Sequence, residues 1–235
     1  MLVNELRMIS SMATRELLAD LVALFTKANG VVVQVHSAGG VDVARRIAAG
    51  EDFDVVVLAS NTIDQLITDG AVSAGSRVDL VKSGIAIAVR AGHPPWVPDS
   101  EETVKQAVLA ASSLGFSTGP SGTYLVELFK RWGIYDTLKP RIVQAPPGVP
   151  VGTLLARGEV EVGFQQLSEL LHLPGITVLG PLPAAIQLIT VFAAGLTPAA
   201  RHKPTAQALV DFMASAAATS AKRRQGMEPA EAGRW

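Results

Sequence analysis

The stretch LRMISSMATRELL, Leu6 to Leu18, reads as a short apolar strand that runs into Ser10-Ser11 and then into a helix. The apolar positions Leu17, Leu18, Leu21, Val22 and Phe25 recur at helical spacing behind it, as one buried face requires. The same plan returns twice. VVVQVHS (Val31 to Ser37) precedes a helix ending near Gly50, and DVVVLAS (Asp54 to Ser60) precedes one ending at Gly70. Three strands thus end in a serine beside a helix start. In open α/β sheets ligands sit outside the carboxyl ends of strands, where free helix N–H groups and the helix dipole favour an anion. Three hydroxyl-tipped strand ends predict an oxyanion cradle.

Past Gly70 the pattern moves to a second set. SGIAIAVRAG (Ser83 to Gly92) reads as a buried strand and HPPWVPDS (His93 to Ser100) as a proline-stiffened loop. Next come helix 101–111, strand 114–116, helix 124–132 closed by Gly133 and a strand near Ile142-Val143. Helix 151–157, strand 160–164 and a short helix around Ser168 to Leu171 complete the set. PGITVLGPLPAAIQLITVFAAGL (Pro174 to Leu196) reads as a strand, a proline-braced turn and a longer strand carrying Gln187, and it precedes helix 205–217. Gly226 to Trp235 is expected to be loosely ordered. Alternating strands and helices with short loops predict mostly parallel sheets covered on both faces. The apolar strands at 84–89 and 186–193 are expected to cross between two lobes, lobe 1 being 1–82 plus 194–235 and lobe 2 being 83–193.

Composition narrows the function. Twenty Lys+Arg against 21 Asp+Glu give a net charge of -1, so the concentrated positive face that nucleic acid requires is not expected. With no Cys, disulfides, zinc–thiolate sites and a cysteine nucleophile are excluded. His36, His93, His172 and His202 lack metal-ligand spacing, so neither metal nor cofactor is expected. No apolar run approaches the roughly 20 residues that span a bilayer, so the chain is not expected to cross a membrane. Met1 to Glu5 leads directly into the first strand without a basic-then-apolar leader. The expectation is a periplasmic protein if a signal peptide has been removed, and a cytoplasmic one otherwise.

The candidate ligand residues follow from the strand ends. Ser10 and Ser11 can donate to an anion or cap a helix start. Ser37, followed by Gly39-Gly40, lets backbone approach a ligand closely. Ser60 opens the Ser60-Asn61-Thr62 cluster, an ordinary helix cap that also lies at a strand end. Gly119 to Thr123 ends a strand and opens a helix, bringing Ser121, Gly122 and Thr123 forward; it is not a P-loop, since no Gly-Lys-Ser/Thr follows. Pro150 sits where the helix of Val151 begins, and Gln165-Gln166 end a strand, alternation sending one toward the ligand side. Arg77, Lys82 and Arg90 flank the first crossover, where an Arg fork or Lys charge would suit a di- or tricarboxylate.

Taken together, Ser10-Ser11, Ser37 with Gly39-Gly40, AAGEDFDVVVLAS (Ala48 to Ser60), LKPRIVQ (Leu138 to Gln144) and LLARGEVEVGFQQLSELL (Leu154 to Leu171) resemble the periplasmic molybdate-binding protein family, type II solute-binding proteins of ABC importers. The resemblance implies a two-lobed α/β periplasmic-binding-protein fold, each lobe a mostly parallel sheet flanked by helices and the two joined by two crossover strands. It also implies a small anionic ligand and an ABC permease as partner. Residue by residue, it implies hydroxyl ligands at Ser11 and Ser37 and main-chain donors in Pro120 to Tyr124 and Val149 to Val151. Gln165-Gln166 stand where molybdate binders usually carry a tyrosine. That departure, with PGITVLGPLPAAIQLITVF (Pro174 to Phe192), is similar to a subset that includes aconitate isomerase, an enzyme on the same scaffold. Three functions therefore stay open: a binder of an oxyanion or small carboxylate, an isomerase of aconitate type with no catalytic residue assigned, and a cytoplasmic ligand sensor.

Overall fold

A computed structural model describes residues 5–230. In chain order the elements are β1 (Glu5–Ser11), α1 (Arg15–Asn29), β2 (Val32–Ala38), α2 (Gly40–Ala48), β3 (Val55–Ala59), α3 (Ser60–Thr68) and β4 (Val78–Arg90). They continue with α4 (Glu101–Ala110), β5 (Leu114–Phe116), α5 (Pro120–Arg131), α6 (Tyr135–Leu138), β6 (Ile142–Gln144), α7 (Val151–Ala156), β7 (Val162–Gln166) and α8 (Leu167–Leu170). Last come β8 (Ile176–Pro181), β9 (Ile189–Leu196), α9 (Lys203–Ala214), α10 (Thr219–Arg224) and β10 (Glu228–Pro229). The chain divides into two compact units, one of residues 1–83 and 190–235, the other of residues 84–189. It leaves the first unit inside β4 and returns to it at the start of β9.

In the first unit the strands run in the order β2-β1-β3-β9. β1 pairs in parallel with β2 and β3, so Ser10 lies opposite Ser37 on one side and Val57 on the other. β9 joins β3 antiparallel, and β10 pairs antiparallel with the first half of β4. All five residues of β3 are buried, and alternation splits them between two cores. Val55 and Val57 pack with Leu17, Leu21, Leu209 and Met213 of α1 and α9, while Val56 and Leu58 pack with Val43, Ile47 and Ile63 of α2 and α3. Asp54, just before β3, fastens three segments. Its carboxylate accepts from Arg7 N–H at 2.8 Å and Arg201 N–H at 3.0 Å, and its carbonyl accepts from Thr197 N–H.

In the second unit the order is β4-β7-β5-β6, with β8 also on β4. Parallel pairing holds for β5 with β6 and β7, whereas β7 and β8 run antiparallel to β4. Along β4, Ile85, Ile87 and Val89 pack with Val104, Val108, Leu125 and Phe129 of α4 and α5. Ala86 and Ala88 face Val151, Leu154 and Leu155 of α7. A Cβ at Gly163 would come within 2.8 Å of both Val151 and Leu155, so glycine at that position of β7 lets α7 lie directly on the sheet.

Several boundaries differ from expectation. α5 begins at Pro120 rather than Tyr124, because proline at the first helical position supplies the right φ and lacks an N–H that would go unbonded anyway. β7 ends at Gln166, so both glutamines belong to the strand. The crossing strands are β4 and β9, longer or later than the expected 84–89 and 186–193. Gln187 is not on a strand but closes a 3-10 turn before β9. Its side-chain carbonyl accepts from Ile85 N–H at 2.8 Å, and its NH2 donates to the carbonyls of Ile85 at 3.0 Å and Leu182 at 3.3 Å. One side-chain amide thereby does for Ile85 what a neighbouring strand would do. Of the tail expected to be loose, Glu228–Pro229 form β10; residues 231–235 lie outside the described residues.

Candidate functional site

In the first unit, Ser10, Ser11, Ser37 and Ser60 stand at the carboxyl ends of the adjacent strands β1, β2 and β3. The parallel register sets Ser10 opposite Ser37, and their hydroxyls share a 2.9 Å hydrogen bond. Ser10 is fully buried and Ser37 half-buried. Ser11 is 7% exposed, its backbone is extended, and its Oγ has no hydrogen-bond partner among the described residues. The helical turn after it has no side-chain cap, and the Thr14 hydroxyl donates back to the Ser11 carbonyl at 3.2 Å. Ser60 is the first residue of α3 and Ala59 holds the cap position, so the expected side-chain cap does not form. A residue inside the helix lacks the extended backbone that turns a hydroxyl back onto the helix N–H groups.

In the second unit the candidates stand at the carboxyl ends of β5, β6 and β7, which are also neighbours. Ser121 is buried, Thr123 is exposed and folds its hydroxyl toward the Gly119 carbonyl at 3.4 Å. Gly122 has a packing reason of its own, since a Cβ there would lie 1.8 Å from the Ser117 carbonyl oxygen. The Tyr124 hydroxyl donates to the Ile186 carbonyl at 2.8 Å. Pro150 caps α7 and Val151 opens it. The Val151 N–H, expected to be a free donor, is bonded at 2.9 Å to Oε1 of the buried Gln165. Gln165 donates in turn to the Glu169 carboxylate at 2.8 Å.

Glu169, which the sequence reading did not single out, is hydrogen-bonded to the candidate Gln165. It follows Gln165 by four positions in QQLSEL, which brings the two together once the strand turns into α8. Burial pushes its carboxyl up to about 7, against the opposing effect of the Gln165 hydrogen bond. The charges that flank the first crossover, for which a solvated surface role is the default, are paired or outward. Arg77 pairs with Asp79 at 2.8 Å and Asp64 at 3.0 Å, and Lys82 and Arg90 are exposed. His36 is exposed with its ring edge against Phe53, centroids 5.6 Å apart. Among the described residues no group of three His, Asp or Glu could hold a metal ion, and no helix is long and apolar enough to cross a membrane.

Serine-tipped parallel strands in one unit and helix starts after parallel strands in the other are the marks of a small-ligand binding protein of type II periplasmic-binding fold. The family model described as bacterial extracellular solute-binding protein matches residues 6–228, and the chain belongs to that family. It is 34% identical to an aconitate isomerase from Pseudomonas sp., covering 98% of this chain and 90% of that protein. It is 25% identical to the molybdate-binding protein ModA of Azotobacter vinelandii, over 88% of this chain and 83% of that one. A solved structure of the Azotobacter vinelandii periplasmic molybdate-binding protein superposes with a TM-score of 0.81, covering 96% of this chain and all of the other at 20% identity.

Proposed function

We propose that this chain is the solute-binding component of an ABC importer, working in the periplasm and taking a small oxyanion or small carboxylate with uncharged donors. The observation that carries this is the Ser11 hydroxyl, buried at the end of β1 without a partner among the described residues. Leaving a polar group so costs about 1–3 kcal/mol, which a ligand oxygen would recover. The first unit offers further hydroxyls at Ser10, Ser37 and Ser60; the second, taken by itself, offers the Ser121 hydroxyl and the main-chain N–H groups of Ser121 and Gly122, the Thr123 N–H being bonded to the Gly119 carbonyl at 3.1 Å. Gln165 offers a side-chain amide, and the Val151 N–H joins only if Gln165 turns away. Pro150 and Tyr124 shape the two helix starts rather than supply free donors. Hydrogen bonds to a charged ligand are worth about 1.5 kcal/mol or more each, so about six exceed the ~8 kcal/mol of micromolar binding before ordering costs.

Titration calorimetry with molybdate, tungstate, sulfate, citrate, cis-aconitate and trans-aconitate tests this. Micromolar binding of at least one anion is expected, and no binding across the panel would overturn it.

A second function, isomerisation of an aconitate-like tricarboxylate, is favoured by the 34% identity to an aconitate isomerase and by a carboxyl near neutrality at Glu169. In an allylic shift a base takes a proton from a methylene carbon, the electron pair delocalises into an enolate-like anion and forms the new double bond, and the proton returns at the far carbon of the original double bond. A group near neutral pKa suits both halves of that exchange. Ultraviolet monitoring of cis- and trans-aconitate separates the two functions: interconversion marks the enzyme, and binding without turnover marks the binder.

A further inference from the structure

The helices that follow β1 and β2 go to opposite faces of the first unit's sheet. Leu17, Leu18 and Leu21 of α1 pack with Leu6, Met8 and Val33, whereas Val43 and Ile47 of α2 pack with Ile9, Val56 and Leu58. β1 and β2 are neighbours, so the chain diverges from their carboxyl ends and leaves a crevice there, the place where open α/β sheets take ligands. Ser10 and Ser37 face each other across that crevice, and the unpartnered Ser11 hydroxyl ends β1 beside it. Burial decides which serine of the pair donates. Ser10 is fully buried and its hydroxyl has no other hydrogen bond among the described residues, so Ser37 Oγ is the one acceptor for its proton. Were Ser37 the donor, the Ser10 proton would be buried without an acceptor, at a cost of about 1–3 kcal/mol. The half-buried Ser37 can turn its own proton toward solvent or a ligand.

We propose that Ser10 is a positioning residue that does not touch the anion: it donates to Ser37 and so leaves the Ser37 proton for a ligand oxygen in the crevice between β1 and β2. This rests on the anion-binding function proposed above, and it moves Ser10 from the direct contacts to the support of one. Two effects follow from the donated bond. A hydroxyl that accepts one hydrogen bond is polarised and gives another more strongly. Its rotor is also fixed before the ligand arrives, so less freedom is lost on binding. Without Ser10 the Ser37 oxygen stays in place, but its proton is free to point elsewhere.

The test is a double-mutant cycle of Ser10→Ala and Ser37→Ala in the full chain, read by calorimetry with the anions of the panel that the wild type binds, molybdate and trans-aconitate first. Ser37→Ala is expected to weaken binding about tenfold, as for a lost bond to a charged group. Ser10→Ala is expected to weaken it about threefold, as for a neighbour in the same hydrogen-bond network. In the Ser37→Ala background, Ser10→Ala is expected to change affinity no further, because the group it positions is gone. Ser10→Cys, whose thiol keeps a weak donor in place, is expected to recover part of the loss. It also replaces Ser10→Ala in the cycle if that variant does not fold. Losses that multiply in the double variant are the mark of an anion held by both hydroxyls and would overturn the positioning role. So would a Ser10→Ala or a Ser37→Ala protein that binds as tightly as the wild type. Failure of the wild type to bind any anion would overturn the binding function itself.

Discussion

Ser10 and Ser37 stand opposite each other in register across β1 and β2, hydroxyl to hydroxyl at 2.9 Å, and so satisfy each other, while Ser11 one residue on has no partner among the described residues. Ser11→Ala is expected to leave the melting temperature unchanged or slightly raised and to weaken anion binding by about tenfold or more, as for a lost bond to a charged group. Ser10→Ala breaks an existing bond and is expected to cost about 1 kcal/mol of stability. Thermal melts and calorimetry on the pair of variants check both, and equal stability loss in the two would contradict the assignment.

Glu169 gives stability a pH dependence of definite sign. Its carboxyl sits at about 7 in the folded chain against 4.5 ordinarily, so between those values the folded state binds more proton than the unfolded one. Stability attributable to this group is full below 4.5, falls as pH rises through 7, and is flat above. The fall amounts to roughly 3 kcal/mol at most. Glu169→Gln is therefore expected to match the wild type near pH 4 and to be the more stable of the two at pH 8, as urea unfolding at both values will read.

Lys222 on α10 is fully buried, its Nζ has no partner among the described residues, and burial holds its amine below the usual lysine range. Between its folded and ordinary values the unfolded chain binds the extra proton, so this lysine makes stability rise with pH. Lys222→Met keeps the apolar stem and removes the amine. It is expected to raise stability at pH 7 by about 1 kcal/mol and to flatten that alkaline rise in a melting series.

Gly39 and Gly122 look alike in the sequence, each just past a strand beside a candidate serine. A Cβ at Gly39 meets nothing within 4 Å and its φ is -58°, so Gly39→Ala is expected to fold normally. A Cβ at Gly122 would lie 1.8 Å from the Ser117 carbonyl, so Gly122→Ala is expected to destabilise by more than about 3 kcal/mol. Expression and melting of the two alanine variants distinguish them.

The strand–serine–helix plan was legible because β1, β2 and β3 are apolar, short and bounded by hydroxyls or glycines, which leaves little choice of period. The same alternation suggested two lobes joined by two crossing strands. What escaped depends on partners distant in sequence. Gln187 bonds Ile85, 102 residues away, and Asp54 bonds Arg201, 147 away; neither has a local signature. Asp54 sits inside the block that carried the family resemblance, where its work is to join segments. Glu169 was missed for the opposite reason. Its i to i+4 spacing from Gln165 was visible, but a carboxylate on a four-residue helix reads as solvated until its neighbours are known to be uncharged.

The segment 84–189 interrupts the other unit, and this bears on the order in which the polypeptide leaves the ribosome. The interrupting segment has every strand it needs once residue 189 has emerged. The interrupted one must keep β1 to β3 waiting for β9 and α9, whose Leu209, Val210 and Met213 complete its apolar interior. During vectorial synthesis the middle of the gene product can mature first, while the nascent amino-terminal portion stays open to chaperones until the last stretch arrives.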